Sequence, residues 1–217
     1  MLLSHRYQFL YVHIAKTGGT SVRAALNKLR WRDPLYYLTF PAHKISAMTG
    51  HKLGLKFPRH SHIIAAKEML PAEYFDSLFK FAFVRNPWDL QVSSFHHIMR
   101  ERPEVMNGIT DFNEFMRWKF NPERTYQYHI DTSLSLQSDY LVDLHGDICT
   151  DFIGRYENLA MDFEHIASKL DINLAELPHK RQASNRSEDY RSYYQDDVAE
   201  AVAEYFKLDI EKLDYQF

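Results

Sequence analysis

The sequence predicts an α/β fold, because two short apolar runs are each followed directly by the start of a helix. The first run, Phe9–Val12 with Ile14 beyond it, has the length and composition of a buried strand, and apolar residues at helical spacing follow from Val22. The second run, residues 79–84, is apolar except for Lys80, as expected of a parallel strand covered on both faces.

Composition limits the kind of protein. The chain has 217 residues, of which 45% are hydrophobic and 15% aromatic, so we expect one globular domain spanning residues 1–217. A net charge of −3 argues against a general nucleic-acid binder. One cysteine, Cys149, excludes an intrachain disulfide. Neither a signal peptide nor a membrane-spanning run is evident, so a soluble, cytoplasmic protein is expected.

The segment that joins the first strand to its helix, Lys16-Thr17-Gly18-Gly19-Thr20-Ser21, has the features of an anion site. Glycines let the backbone approach a ligand closely, and the free N–H groups of a first helical turn attract negative charge. Three hydroxyl groups and the Lys16 ammonium add further donors. Neither GxxxxGK[ST] nor GxGxxG occurs in the chain, so this is not the usual nucleotide loop. An ordinary Gly-Gly turn is the alternative.

The second strand ends at a similar junction. Asn86 suits a helix cap and Pro87 the first helical position, so we expect Arg85 at the carboxyl end of the strand, where α/β sheets bind ligands. Ser93 follows about two turns into the helix. An arginine fork with a hydroxyl suits a terminal phosphate. A plain salt bridge of Arg85 is the alternative.

His60 and His62 would share one face if residues 59–66 form a strand. A histidine has a suitable pKa for a general base near neutral pH, and a histidine packed at a strand end is the alternative. Neither CxxC nor HExxH is present to complete a zinc site, so no metal is expected. Residues 31–58 contain several prolines and glycines and are predicted to be irregular. The roles of residues 126–139 stay open.

The string HIAKTGGTS resembles the 5′-phosphosulfate loop of sulfotransferases that use 3′-phosphoadenosine 5′-phosphosulfate (PAPS). The likeness is to the branch related to carbohydrate sulfotransferases, whose loop usually reads PKTGGTS; Ala15 stands in place of the proline. FVRNPWD, with Ser93 eight residues after Arg85, matches the family's 3′-phosphate signature, although Leu90 stands where arginine is common. GRYENL resembles a third, mainly structural block.

The resemblance implies a three-layer, P-loop-like α/β fold with a central parallel sheet flanked by helices. It implies an enzyme that transfers a sulfuryl group from PAPS to a hydroxyl and releases adenosine 3′,5′-diphosphate (PAP), without a metal. His62 would be the base, with His60 beside it and Glu68 in reserve, and Lys16 would neutralise developing charge. The basic loop near residues 178–191 would close over the adenosine phosphate. The implied PAPS-binding residues are Lys16, Thr17, Gly18, Gly19, Thr20, Ser21, Arg85, Ser93, Lys180, Arg181 and Arg186.

Two other classes of function stay open. One is a non-catalytic protein of the same fold that binds a nucleotide or glycan. The other is a nucleotide kinase or NTPase, which requires a lysine after the glycines and carboxylates for magnesium. The expected partner is a hydroxylated acceptor, either a carbohydrate or another small molecule. The acceptor's identity and the oligomeric state are not predicted.

Overall fold

The computed structural model describes residues 1–30, 32–49, 57–172 and 189–217. These fall into two compact units, each assembled from three stretches of chain. The first unit comprises Met1–Ile14, Gly18–Val84 and the described residues of Tyr140–Lys180. The second comprises Ala15–Thr17, Arg85–Asp139 and the described residues of Arg181–Phe217. The prediction of one domain over residues 1–217 stays a prediction.

The first unit contains a four-stranded sheet in the order β1-β2-β3-β4, so the α/β class is confirmed. β1 pairs antiparallel with β2, whereas β2–β3 and β3–β4 pair parallel. In the register of the parallel pairs, Tyr11 lies beside Phe81, and Phe83 beside Gly154. The strands are β1 (Leu2–Ser4), β2 (Phe9–Val12), β3 (Phe79–Val84) and β4 (Phe152–Arg155). The helices of this unit are α1 (Gly19–Arg30), α2 (Pro34–Thr49), α3 (Ile63–Met69), α4 (Ala72–Ser77) and α8 (Leu159–Lys169).

One apolar core joins the sheet to α1 and α8. Side chains that alternate along β2 and β3 meet the apolar stripes of the two helices, which is the usual way a sheet face and a helix stripe are removed from water. The buried side chains of this core are Leu2, Phe9, Tyr11, Val22, Ala25, Leu26, Leu29, Phe81, Phe83, Phe163, Ile166 and Ile172.

The second unit is helical and has its own core. Its helices are α5 (Pro87–Glu101), α6 (Phe112–Lys119), α7 (Tyr128–Asp131), α9 (Asp196–Tyr205) and α10 (Lys207–Leu213). Aromatic and aliphatic residues of α5, α6 and α9 fill this core, including Phe95, Phe115 and Val202. α9 begins at Asp196, as its acidic first turn predicts.

One local prediction is wrong, and one condition is not met. Within residues 31–58, predicted to be irregular, α2 runs from Pro34 to Thr49 with Pro41 inside it. Proline is tolerated at the first helical position, so Pro34 begins the helix instead of interrupting it. Residues 59–66 do not form a strand, because His62 caps α3 in an extended conformation and the helix follows. Within the described ranges, none of the helices combines the length and the apolar character needed to cross a membrane.

Candidate functional site

The junction between β2 and α1 in the first unit is built around a contact between His13 and Gly19. A β-carbon placed on Gly19 would lie 2.0 Å from Nε2 of the His13 imidazole and 2.3 Å from its Cδ2. Only a residue without a side chain lets the first turn of the helix approach the imidazole this closely. Glycine is therefore required at residue 19 by packing.

The start of α1 presents backbone N–H donors that no described residue accepts from. The N–H groups of Gly18, Gly19 and Thr20 have no acceptor in the described part of the chain, whereas Ser21 N–H donates to the Gly18 carbonyl at 3.0 Å. Gly18 has a φ of +79°, a left-handed conformation that favours glycine, and a β-carbon there would lie 2.9 Å from Leu159. We call these three N–H groups the α1 cradle. Free N–H groups at the positive end of a helix dipole are suited to an anion.

Lys16, in the second unit, is held by Arg85. Lys16 has a φ of +67°, which costs a residue with a side chain roughly 1–3 kcal/mol. Its carbonyl accepts a hydrogen bond of 3.0 Å from Nη1 of Arg85. The Arg85 Nε donates to Asp89 at 2.6 Å, and both side chains of this ion pair are largely buried. Arg85 thus forms a salt bridge, which is the alternative interpretation of this residue. The same guanidinium also holds the Lys16 carbonyl, two residues before Gly18.

The backbone at Arg85 is fixed from both sides by one side chain. Gln137 accepts from the Arg85 N–H through Oε1 and donates to the Arg85 carbonyl through Nε2, each at 2.8 Å. The N–H groups of Gln137 and Ser138 in turn donate to the buried carboxylate of Asp209 on α10, at 2.7 and 2.9 Å. Burial raises the pKa of Asp209 despite these two hydrogen bonds. The residue that follows β3 is therefore positioned by the C-terminal helix.

α5 begins as the sequence predicts. Asn86 accepts from Trp88 N–H at 3.0 Å and so caps the helix, and Pro87 takes the first helical position. Ser93 is half-buried on α5, and its hydroxyl has no hydrogen-bond partner in the described ranges. Arg85 and Ser93 thus occupy the elements predicted for them, and among the described residues the Ser93 hydroxyl has no acceptor.

The two predicted histidines differ in environment. His60 Nδ1 lies 3.0 Å from the His13 carbonyl oxygen, and because a carbonyl only accepts, this nitrogen carries the hydrogen. Nε2 of neutral His60 is then left with its lone pair. Burial lowers the pKa of His60 below that of an ordinary histidine. The His60 imidazole therefore stays neutral at pH values at which a solvent-exposed histidine is already partly protonated. His62 is exposed, with its ring 4.3 Å from that of Tyr140, and Glu68 is exposed on α3.

His13 is a residue of this site that the sequence did not single out. Its ring lies 4.8 Å from that of His60, and its buried Nδ1 has no hydrogen-bond partner among the described residues. Burial, and then the charges of His60 and Arg23, lower the pKa of His13 to about 2, so the imidazole is neutral at any working pH. Its place three residues before Lys16 in HIAKTGGTS was the available signal, because the end of a strand brings it under the helix start.

Three predicted residues, Lys180, Arg181 and Arg186, lie outside the described residues. Among the residues that are described, no group of three or more His, Cys, Asp or Glu side chains is arranged to hold a metal ion. In the first unit the structure brings the α1 cradle together with His13 and His60. In the second it brings Arg85 to the Lys16 backbone.

Comparison with known proteins identifies the class. The family model described as the sulfotransferase family matches residues 1–216, nearly the whole chain, and the chain therefore belongs to this family. Neither a curated protein nor a solved structure matches the chain at a significant level.

Proposed function

We propose that this protein transfers the sulfuryl group of PAPS to a hydroxyl of a carbohydrate or another small hydroxylated acceptor. Membership of the sulfotransferase family supports a transfer of this kind. The single observation that carries the proposal is the α1 cradle, with three unused N–H donors and the His13–His60 pair packed behind it in the same unit. An anion site next to a neutral imidazole is what sulfuryl transfer to a hydroxyl requires.

The ligand-binding roles follow from donor chemistry. The α1 cradle would bind the 5′-phosphosulfate, with hydroxyls of Thr17, Thr20 and Ser21 as further donors and the Lys16 ammonium neutralising charge on the leaving phosphate. Arg85 and Ser93 would bind the 3′-phosphate. Lys180, Arg181 and Arg186 would add positive charge near the adenosine phosphate. The fit of an anion to the cradle is supported by N–H donors for which the described residues offer no acceptor.

The general base would be either His62 or His60. The acceptor oxygen attacks sulfur, the bond from sulfur to the 5′-phosphate oxygen breaks, and the acceptor proton passes to an imidazole while PAP leaves. By resemblance the base is His62, whose exposed ring is open to an acceptor. His60 is the second candidate, because its hydrogen is held by the His13 carbonyl and Nε2 can accept a proton.

Calorimetric titration with PAP and with ADP tests the nucleotide. PAP is expected to bind more tightly than ADP without magnesium. Arg85→Gln combined with Asp89→Asn removes the cation together with its buried partner, and should reduce PAP affinity by roughly 1.5–3 kcal/mol, about tenfold to a hundredfold. Equal binding of PAP and ADP, or a requirement for magnesium, would contradict the proposal and favour a kinase or NTPase.

A second experiment tests catalysis. Sulfuryl transfer from labelled PAPS to a panel of sugars and phenols is measured for the wild type, His60→Asn and His62→Asn. Asparagine at residue 60 retains an N–H donor for the His13 carbonyl but cannot accept the proton. The variant that lacks the base should lose turnover and keep PAP affinity. If the wild type binds PAP but transfers no sulfuryl group to any acceptor of the panel, the chain is a non-catalytic binding protein; transfer that both variants retain would exclude His60 and His62 as the base.

A further inference from the structure

The imidazole of His13 occupies the place that a side chain on Gly19 would take, at the first turn of α1. The three atoms nearest to a β-carbon built on Gly19 all belong to this ring: Nε2 at 2.0 Å, Cδ2 at 2.3 Å and Cε1 at 2.9 Å. Side chains of a helix tilt toward its N-terminus, and the free N–H groups of the first turn point the same way. Nε2 therefore lies beside the α1 cradle, on the side that faces an incoming anion.

His13 is a largely buried side chain without a hydrogen-bond partner among the described residues. It is 5% exposed, and its Nδ1 is completely buried. Nε2 also lacks a partner in the described ranges but is not completely buried, so the ring reaches the surface of the protein through this nitrogen. Buried polar groups normally have partners. A polar ring without one, set against unsatisfied N–H groups, is the arrangement expected where a ligand binds.

The neighbouring donors indicate which nitrogen of His13 carries the hydrogen. If Nε2 carried the lone pair, it could accept from the α1 cradle, yet within the described ranges none of the three N–H groups donates to it. The hydrogen would then lie on Nδ1 as a completely buried N–H without an acceptor, and such groups are rare in proteins. With the hydrogen on Nε2, the imidazole is a fourth donor beside the cradle.

The His13 ring is neutral while it donates. Burial, and then the charges of His60 and Arg23, lower the pKa of His13 to about 2. The positive end of a helix dipole also disfavours an imidazolium, and a neutral imidazole at a helix N-terminus is an established donor to negative charge in enzymes. His13 cannot be a general base near neutral pH. The His60 ring, 4.8 Å away, keeps a lone pair on Nε2, so the two rings offer one donor and one acceptor.

We propose that His13 is a ligand-binding residue, which donates a hydrogen bond from Nε2 to an oxygen of the phosphate held in the α1 cradle. The proposal rests on the function proposed above and deepens it, because it adds a side-chain donor to the backbone donors of the cradle. It also divides the histidines by role, since His13 binds the anion and a different histidine takes the acceptor proton.

A matched pair of variants separates the donor from the shape of the side chain. In His13→Gln the amide nitrogen is as many bonds from the β-carbon as Nε2 is in histidine, and it donates. His13→Met has the same chain length and no donor. His5→Met is the control, because His5 is a partly buried histidine of the same unit whose ring stacks on Tyr74 at 5.5 Å. Thermal melts establish which variants are folded.

Affinities for PAP and for inorganic pyrophosphate are measured by calorimetry at neutral pH. We expect His13→Met to weaken both ligands roughly tenfold or more, as for a lost hydrogen bond to a charged group. His13→Gln should stay within about threefold of the wild type and His5→Met within about twofold. Folded methionine and glutamine variants with equal affinities would overturn the proposal and leave His13 a packing residue.

A measurement on the wild type keeps the proposal testable if the methionine variant unfolds. Nitrogen-15 NMR of the histidine rings reports which nitrogen carries the hydrogen, and the His13 signals are identified by their loss in His13→Gln. We expect a neutral ring with the hydrogen on Nε2, and a shift of that hydrogen's signal when pyrophosphate is added. A hydrogen on Nδ1 in the pyrophosphate complex, or an Nε2 signal that pyrophosphate does not move, would overturn the proposal.

The two ligands separate this proposal from the proposed function. If the wild type binds pyrophosphate but does not prefer PAP to ADP, the sulfotransferase proposal fails, while the pyrophosphate data still test His13. If PAP is preferred and His13→Met binds it like the wild type, only the His13 proposal fails. Binding of neither anion by the wild type overturns both.

Discussion

The imidazole of His13 lies directly against the α-carbon of Gly19, where a β-carbon would come within 2.0 Å of Nε2. Gly19→Ala should therefore force the ring or the first turn of α1 to move, at a cost of roughly 1–3 kcal/mol in the free energy of unfolding. The α1 cradle moves with that turn, so PAP affinity should also fall. Urea unfolding and calorimetry measure the two effects.

The reason for this loss can be tested with a double mutant. His13→Ala removes the ring that the new methyl group would strike, so His13→Ala with Gly19→Ala should be more stable than the sum of the single losses predicts. Strictly additive losses would mean that the imidazole and the methyl group do not collide.

The ion pair of Arg85 and Asp89 predicts a large loss of stability for a single substitution. Arg85→Ala should cost about 3–5 kcal/mol, because it leaves the buried Asp89 carboxylate without its partner. Arg85→Gln with Asp89→Asn should cost less. The control is Arg117→Ala, which breaks an exposed pair with Asp197 and should cost about 0–1 kcal/mol. Equal losses for Arg85→Ala and Arg117→Ala in urea unfolding would contradict the prediction.

A lowered pKa of His60 predicts the pH profile of transfer if His60 is the base. Because burial favours the neutral imidazole, kcat/KM should stay level below pH 6.5 and fall only where His60 becomes protonated. Steady-state rates between pH 4.5 and pH 8 measure this fall. A level profile in His60→Asn, with turnover intact, would exclude His60 as the base.

Acid sensitivity is expected from the ion pair between Lys67 and Asp143, which are 2.7 Å apart. The hydrogen bond from Lys67 lowers the pKa of Asp143 to about 2, from 3.8 for a free aspartate. Between these values the unfolded chain binds more protons, so the stabilisation is complete above pH 3.8 and is lost as the pH falls toward 2. The difference in unfolding free energy between the wild type and Asp143→Asn should shrink across that window. A constant difference would show that Asp143 does not titrate there.

The elements that the sequence predicted well carry their signals locally. Asn86 and Pro87 predict the start of α5, and the apolar run of residues 79–84 has the same bounds as β3. The helix α2 was missed because Pro34 and Pro41 indicate breaks, although a first-turn proline is compatible with a helix.

Part of the candidate site depends on tertiary contacts that no local pattern encodes. Outside the candidate site, Lys119 at the end of α6 is buried as well, although a lysine at the end of an amphipathic helix is normally solvated. Its burial arises from α5 and Ser133, which are distant in sequence. The tautomer of His60 likewise depends on a carbonyl 47 residues earlier in the chain. Motif spacing predicts a loop and a strand end as the candidate site, but not the burial and tautomers of the side chains packed around them.

The carboxylate of Asp209 has a consequence for engineering. It accepts a hydrogen bond from the Gln137 N–H, and the Gln137 side chain bonds both backbone groups of Arg85, so α10 sets the backbone geometry at Arg85 within the second unit. The C-terminal helix is therefore not an exchangeable module. A chimera that takes this helix from a relative needs an aspartate at the equivalent position, or Gln137 must be redesigned together with it.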